Sequence, residues 1–229
     1  MCAIFGSSNL DKFYELYEAN KQRGTFSFGC VVAHGLHRDT YVYHHLDVVK
    51  DNDIERGLKS LEKYRNMLPT YYTGHIQAPT GVDRFSKSSI HPFEYGNYIV
   101  AHNGVLTNFE ELKEKYNYKD HTSNVDSSII PRLIDNCCEK QSSSQCSTAI
   151  KEALSQLNGT FSNWIWNAQY FELYIARLSS TLFYKDGDFS SVQVGDMIEV
   201  PERKILWYIN NKFIVLENFD AESHFFTLE

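Results

Sequence analysis

Residues 1–8 read MCAIFGSS, and the reading of the whole chain turns on why a cysteine stands at position 2. Two answers are open from the octapeptide alone. Cys2 is a small buried hydrophobe at the head of a strand, since free cysteine is among the most buried residue types. Or it is a nucleophile: trimming of Met1 before a small residue leaves Cys2 with a thiol and a free α-amino group, so that nucleophile and base share one residue.

Moving outward, the chain has 229 residues, 42% of them hydrophobic and 22% charged. That suits one globular domain over residues 1–229 with a sizeable core. The formal charge is −7 and no basic stripe stands out, which argues against direct nucleic-acid binding because nothing neutralises phosphates. No apolar run reaches the length of a membrane span and no secretory leader is visible, so the expectation is a cytoplasmic protein with no membrane contact. The five cysteines, at 2, 30, 137, 138 and 146, match no zinc spacing. Cys137, Cys138 and Cys146 have neither a Cys-x-x-Cys pair nor a nearby histidine, so no metal is expected and reduced thiols are.

The coarse pattern is mixed. Residues 2–6 read as a strand, and Leu10, Phe13, Tyr14 and Tyr17 recur at helical spacing. TFSFGCVVAH (25–34), TYVYHHLD (40–47), TYYTGHIQ (70–77) and NYIVAHNG (97–104) are β-rich. Ile54, Leu58, Leu61 and Met67 suggest a second helix stopped by Pro69. TNFE (107–110) has capping-box form, with Thr107 as cap and Glu110 reaching back. Ile129, Leu133, Ile134 and Cys137 form a helical stripe that tolerates Pro131 only near its start. KQSSSQCS (140–147) reads as a connector to a further stripe of Ala149, Ile150, Ala153, Leu154 and Leu157. Two hairpins close the pattern, at Asp186-Gly187 and at Asn210-Asn211.

Five segments look wrong for mere packing: MCAIFG (1–6), QRGTFSFG (22–29), TGHIQAPT (73–80), IVAHNGVLTNFEEL (99–112) and SNVDSSII (123–130). Singly each has a plain reading. His102-Asn103-Gly104 can be an ordinary turn, Arg23-Gly24 a helix end with a terminal glycine, and Asp126 a helix N-cap. In this order they resemble the glutaminase domain of class II, N-terminal-nucleophile glutamine amidotransferases, such as the domain heading glucosamine-6-phosphate synthase and amidophosphoribosyltransferase. SIHPF (89–93) and NGTF with ELYIARLSSTLF (158–161 and 172–183) extend the resemblance over most of the chain.

The resemblance implies an α+β fold, the four-layer αββα sandwich of N-terminal-nucleophile hydrolases. It implies that Cys2 attacks the side-chain amide of glutamine and forms a thioester. Asn103 and Gly104 match the oxyanion pair, Arg23 a brace, Asp126 the receiver of the substrate ammonium, and Thr80 a pocket threonine; His102 precedes the pair. It implies no cofactor.

One position departs. The family reads Gly-His-x-Arg where this chain has Gly74-His75-Ile76-Gln77, and that arginine holds the substrate carboxylate. Phe26 also replaces an acidic residue. Three readings stay open. Arg84 or a partner supplies the cation, the substrate is an amide without a free carboxylate, or the pocket has decayed and the chain serves as a binding or scaffold subunit. Retention of Cys2, Asn103, Gly104 and Asp126 favours activity. No nucleotide- or phosphosugar-binding motif follows the matched segments. The expected partner is therefore a separate synthase that accepts ammonia, with a stand-alone hydrolase of glutamine or a related amide as the alternative.

Overall fold

The computed structural model describes residues 2–24, 26–34, 39–46, 51–67, 70–78, 89–118, 123–139 and 146–223. In chain order the elements are β1 (Ala3–Ser7), α1 (Leu10–Asn20), β2 (Ser27–His34), β3 (Asp39–Leu46), α2 (Asp51–Ser60), β4 (Thr70–Gln77), β5 (Phe93–Tyr95) and β6 (Tyr98–Leu106). They continue with α3 (Phe109–Lys115), α4 (Ile129–Glu139), α5 (Cys146–Leu154), β7 (Gly159–Asn167) and β8 (Glu172–Leu178). The last strands are β9 (Phe183–Lys185), β10 (Asp188–Ser190), β11 (Ile198–Glu199), β12 (Lys204–Ile209) and β13 (Lys212–Asn218).

The strands form two antiparallel sheets. One has seven, in the order β11-β9-β10-β1-β4-β2-β3, and the other six, in the order β13-β12-β8-β7-β6-β5. Side chains alternate across each sheet, and the alternation sorts the apolar residues into three cores. Phe5, Phe28, Cys30, Val32, Tyr72 and Ile76 pack with Leu10, Phe13, Leu16, Ile54 and Leu58 on the outer face of the first sheet. Val100, Phe161, Ile165, Ala176 and Ile205 pack under α4 and α5 on the outer face of the second. Ile4, Val31, Tyr71, Ile99, Trp164, Ile175 and Leu206 fill the gap between the sheets. Three apolar interfaces make four layers, the αββα sandwich.

Local chemistry explains most boundaries. Asn9 caps α1, its side-chain oxygen accepting from the Lys12 N–H at 2.9 Å. Pro131 sits in the first turn of α4, where its missing N–H costs nothing. Asn210 and Asn211 both take positive φ, 51° and 60°, in the two-residue turn joining β12 to β13, and asparagine tolerates that region better than most residues.

Four sequence expectations are corrected. Met67 is 42% exposed, and Tyr64 takes its place in the core because the helix tightens to a 3-10 turn over Leu61–Tyr64. The capping box does not form: Asn108 is the N-cap of α3, and Thr107 Oγ1 instead donates to the Asn158 carbonyl at 3.2 Å. His102-Asn103-Gly104 is no turn, because β6 runs through it to Leu106 in register with β7. Cys146 and Ser147 belong to α5 rather than to the connector, while residues 140–145, like Pro69, lie outside the described residues.

Candidate active site

The parity that builds the three cores also builds a polar hollow. On β4, Tyr71 faces the gap between the sheets, so Gln77, six residues on, faces it too. On β6, Ile99 and Ala101 face the gap, so Asn103 does as well. Cys2 has the parity of Ile4 and lies beside the end of β4, since Ala3 pairs with Ile76. These side chains meet where the apolar filling stops. They line a cavity of about 380 Å³ with Arg23, Asp126, His102, Gly104 and Ser180. Of the eight residues expected at the site, seven line this one hollow. The eighth, Thr80, lies outside the described residues, as does Arg84.

Cys2 is partly exposed, and its Sγ lies 3.8 Å from the Ala78 carbonyl. Arg23 holds the backbone on either side of the hollow. Its Nε donates to the Cys2 carbonyl at 3.2 Å, and its Nη1 donates to Thr181 Oγ1 at 3.1 Å and to the Ser191 carbonyl at 3.0 Å. Burial lowers the Arg23 pKa, an effect that the negative charge of a Cys2 thiolate opposes. Gly24 follows with φ −168°, so it is no left-handed cap. It is needed for space instead: a Cβ there would stand 2.5 Å from the Gln77 carbonyl carbon.

Asn103 and Gly104 occupy β6 opposite Ser162 and Phe161. The Asn103 side-chain amide donates to Ser162 Oγ at a long 3.5 Å, while its backbone carbonyl accepts from Ser180 Oγ at 3.3 Å. A long, weak bond leaves an amide donor free to turn to a better acceptor. Gly104 has φ +153°, a conformation glycine adopts freely and other residues avoid. A Cβ there would meet the Thr160 carbonyl oxygen at 2.0 Å and His102 Nε2 at 2.8 Å. Both demands, dihedral and space, exclude any other residue.

Asp126 opens a 3-10 turn ahead of α4, and its carboxylate is tied both to β6 and to that turn. Oδ2 accepts the Leu106 N–H at 2.8 Å, and Oδ1 accepts the Ser127 N–H at 2.9 Å. Oδ1 also accepts from Ser127 Oγ at 3.3 Å, so of the carboxylate's roughly four acceptor sites one remains for a cation. The N-cap expected of Asp126 is not formed: Val125 takes that position and Asp126 lies within the 3-10 turn. His102 ties β6 to the same turn. Nε2 lies 3.4 Å from the Thr160 carbonyl, which can only accept, and Nδ1 lies 2.7 Å from Ser127 Oγ.

Gln77 is 3% exposed, and its Oε1 accepts from Ser27 Oγ at 2.8 Å. The groups it offers the hollow are thus amide N–H donors without charge. Sequence reasoning did not single out Ser127, Thr160, Ser179, Ser180 or Thr181, which also line the cavity. Small hydroxyl residues carry no spacing signal, and only the closure of the two sheets brings them together.

Behind the hollow, His75 stacks on His91 with ring centroids 4.0 Å apart. Burial first, and the charge of His102 second, push its pKa down to about 3. An unfolded histidine titrates near 6.5, so below that pH the unfolded chain binds a proton that the folded chain refuses. Stability present above about pH 6.5 is lost as pH falls toward 3, at ~1.4 kcal/mol per unit. Denaturant unfolding of wild type and His75→Phe between pH 7 and pH 4 checks this. The expected result is a slope of stability against pH about one proton shallower in the variant.

A sequence model described as a glutamine amidotransferase domain matches residues 84–192. The glutamine–fructose-6-phosphate aminotransferase of Haemophilus influenzae is 25% identical over 205 residues, 83% of this chain and 32% of that protein. The amidophosphoribosyltransferase of Methanocaldococcus jannaschii is 26% identical over 239 residues, 90% of this chain and 48% of that one. The chain thus spans less than half the length of either relative. The solved glutamine phosphoribosylpyrophosphate amidotransferase of B. subtilis superposes with a TM-score of 0.71 over 96% of this chain and 49% of its own. At 17% identity that is a likeness of fold.

Proposed function

The chain is a class II glutamine amidotransferase domain, and from that premise we propose that it hydrolyses the side-chain amide of glutamine through Cys2. We further read residues 1–229 as one such domain. The observation that carries the proposal is the meeting of Cys2, Asn103 and Gly104 around one polar hollow.

Removal of Met1 gives Cys2 a free α-amine, whose ordinary pKa of roughly 7.7–8.0 leaves part of it unprotonated near neutral pH. The amine takes the thiol proton, through a water, as sulfur attacks the amide carbon. The amide oxygen becomes negative and sits between the Asn103 side-chain N–H and the Gly104 backbone N–H. The ammonium form of the amine then protonates the leaving nitrogen, ammonia departs, and a thioester remains. Water, deprotonated by the same amine, releases glutamate and restores the thiol. Asp126 takes the substrate ammonium. Ammonia passes to a separate acceptor enzyme, in the reducing cytoplasm that keeps Cys2 a thiol.

Gln77 favours a second reading, in which the native amide lacks a carboxylate. A neutral donor is weaker than a charged one, for which hydrogen bonds contribute about 1.5–3 kcal/mol. Gln77→Arg is therefore expected to lower the KM for glutamine roughly ten- to a hundredfold with kcat little changed. Steady-state glutaminase kinetics on both proteins check it. A variant that instead loses a wild-type activity on a carboxylate-free amide assigns that amide as the substrate.

The catalytic reading itself is tested by a glutamine-analogue electrophile on protein whose N-terminal peptide has been weighed. Labelling at Cys2 in chains that have lost Met1 supports it. Absence of labelling at an exposed, amine-bearing Cys2 supports a binding subunit instead.

A further inference from the structure

Three side chains in a row lead from β6 to the Asp126 carboxylate. His102 stands on β6 with the parity of Tyr98 and Val100, which face the outer core of the second sheet. Its Nε2 lies 3.4 Å from the Thr160 carbonyl and its Nδ1 lies 2.7 Å from Ser127 Oγ. Ser127 Oγ lies in turn 3.3 Å from Asp126 Oδ1. His102 and Ser127 are both buried, so a polar atom that loses its partner here is costly.

The supply of protons decides which of these contacts are hydrogen bonds. The Thr160 carbonyl and the Asp126 carboxylate only accept, and the Ser127 hydroxyl has a single proton to give. All three bonds form when His102 is an imidazolium. Nε2 then donates to Thr160, Nδ1 donates to Ser127 Oγ, and the hydroxyl donates to Asp126. A neutral His102 has one ring proton. With that proton on Nε2, Nδ1 accepts the Ser127 hydroxyl and Asp126 loses a donor. With it on Nδ1, the Nε2 lone pair would face the Thr160 oxygen, acceptor against acceptor. The chain of contacts thus has two good arrangements, one proton apart, and they differ at Asp126. One leaves its carboxylate a single open acceptor site, the other leaves two.

Charge acts in the same direction, because an imidazolium two bonds away offsets part of the carboxylate's attraction for a cation. The other groups around His102 do not duplicate this. His75 on β4 stays neutral, since burial holds its pKa down at about 3. Asn163, opposite on β7, is uncharged. Arg23 is turned to Thr181 and to the Cys2 and Ser191 carbonyls. Cys2 and His91 complete the titratable groups that line the hollow among the described residues. We propose that Ser127 and His102 are positioning residues for the substrate ammonium: loss of the His102 proton turns the Ser127 hydroxyl away from Asp126 and opens the second acceptor site that the ammonium takes. An ammonium brings three N–H donors, so two sites hold it better than one. The proposal rests on the reading of the hollow as a glutamine site with Asp126 at its ammonium end.

Two measurements on the intact chain test it. The first needs no ligand: NMR follows the His102 ring against pH in wild type and in Ser127→Ala. The bond from an imidazolium to Ser127 is the charge-assisted one, so its loss should lower the His102 midpoint by at least about half a pH unit. The second is calorimetry of L-glutamine on Cys2→Ala protein, which cannot turn it over. Affinity should fall at least about threefold between roughly pH 7.5 and pH 5.5, and bound glutamine should lower the His102 midpoint by the same factor. Adding Ser127→Ala, or His102→Asn, which keeps a polar group near the place of Nδ1 but does not titrate, should flatten that dependence. Glutaramate, which is glutamine without its ammonium, should not show it in any of these proteins. A His102 midpoint unmoved by Ser127→Ala overturns the proposal. So does a glutamine affinity that stays flat while His102 titrates, and either result leaves the glutamine site standing. Absence of glutamine binding at every pH removes the glutamine reading, and the proposal with it.

Discussion

Under the proposed mechanism Cys2→Ala is expected to lower glutamine turnover by at least about a thousandfold, because the side chain removed is the one that would bond to substrate. Removing a nucleophile from an enzyme of comparable logic costs on the order of 10⁶ in kcat, and what survives comes from the oxyanion donors and binding alone. The fold should survive the change. Cys2 is only partly buried, and its Sγ lies a long 3.8 Å from the Ala78 carbonyl. Its carbonyl, which accepts from Arg23, is kept by alanine. An equal loss is expected when an N-terminal tag blocks the α-amine, since the thiol then has no base. Release of ammonia from glutamine measures both, alongside a melting curve. Activity in either protein within tenfold of wild type would falsify the assignment of Cys2 and its amine.

Asn103→Ala should come second in size. Loss of one oxyanion donor raises the barrier by about 2.7–4 kcal/mol, a fall of roughly 10²–10³ in kcat. The donor acts on charge that appears only during attack, so KM should hardly move. The backbone carbonyl of residue 103, which accepts from Ser180, is untouched, and the side chain gives up one 3.5 Å contact to Ser162. Stability should therefore fall little. Asn103→Asp is the sharper control: a carboxylate there repels the oxyanion, and turnover should drop below that of the alanine variant. Stopped-assay kcat and KM for the three proteins decide it, and a change confined to KM would move Asn103 to ground-state binding.

The elements that sequence alone made legible are those where one period dominates. Leu10 and Phe13, or Ala149, Ile150, Ala153 and Leu154, bury one helical face. The turn at Asn210-Asn211 follows from the tolerance of asparagine for positive φ. Boundaries were less legible where two local preferences compete. Thr107 has the chemistry of a cap, yet the Asn158 carbonyl claims its hydroxyl and the helix starts one residue later than that cap requires. Gly24 resembles a left-handed cap, but the reason for glycine there is the backbone of Gln77, fifty-three residues away in sequence. The hollow follows the same division. Cys2, Asn103, Gly104 and Asp126 stand in segments with a recognisable order. Ser180 and Thr181 also lie in a matched segment, 172–183, but which of its side chains reach the site is set by the pairing of the two sheets and not by any local pattern.

The alternation along β6 has a consequence for how such a chain tolerates change over time. His102 points to the turn at Ser127 and Asn103 to the gap, and their neighbours Val100 and Ala101 are committed to different cores. Deleting or inserting one codon inside this strand exchanges every one of these assignments together. The same holds for β4, where Ile76 and Gln77 would trade places. Gains and losses of length in descendants of this chain must therefore fall in the connections between strands, while the strands themselves evolve by substitution alone.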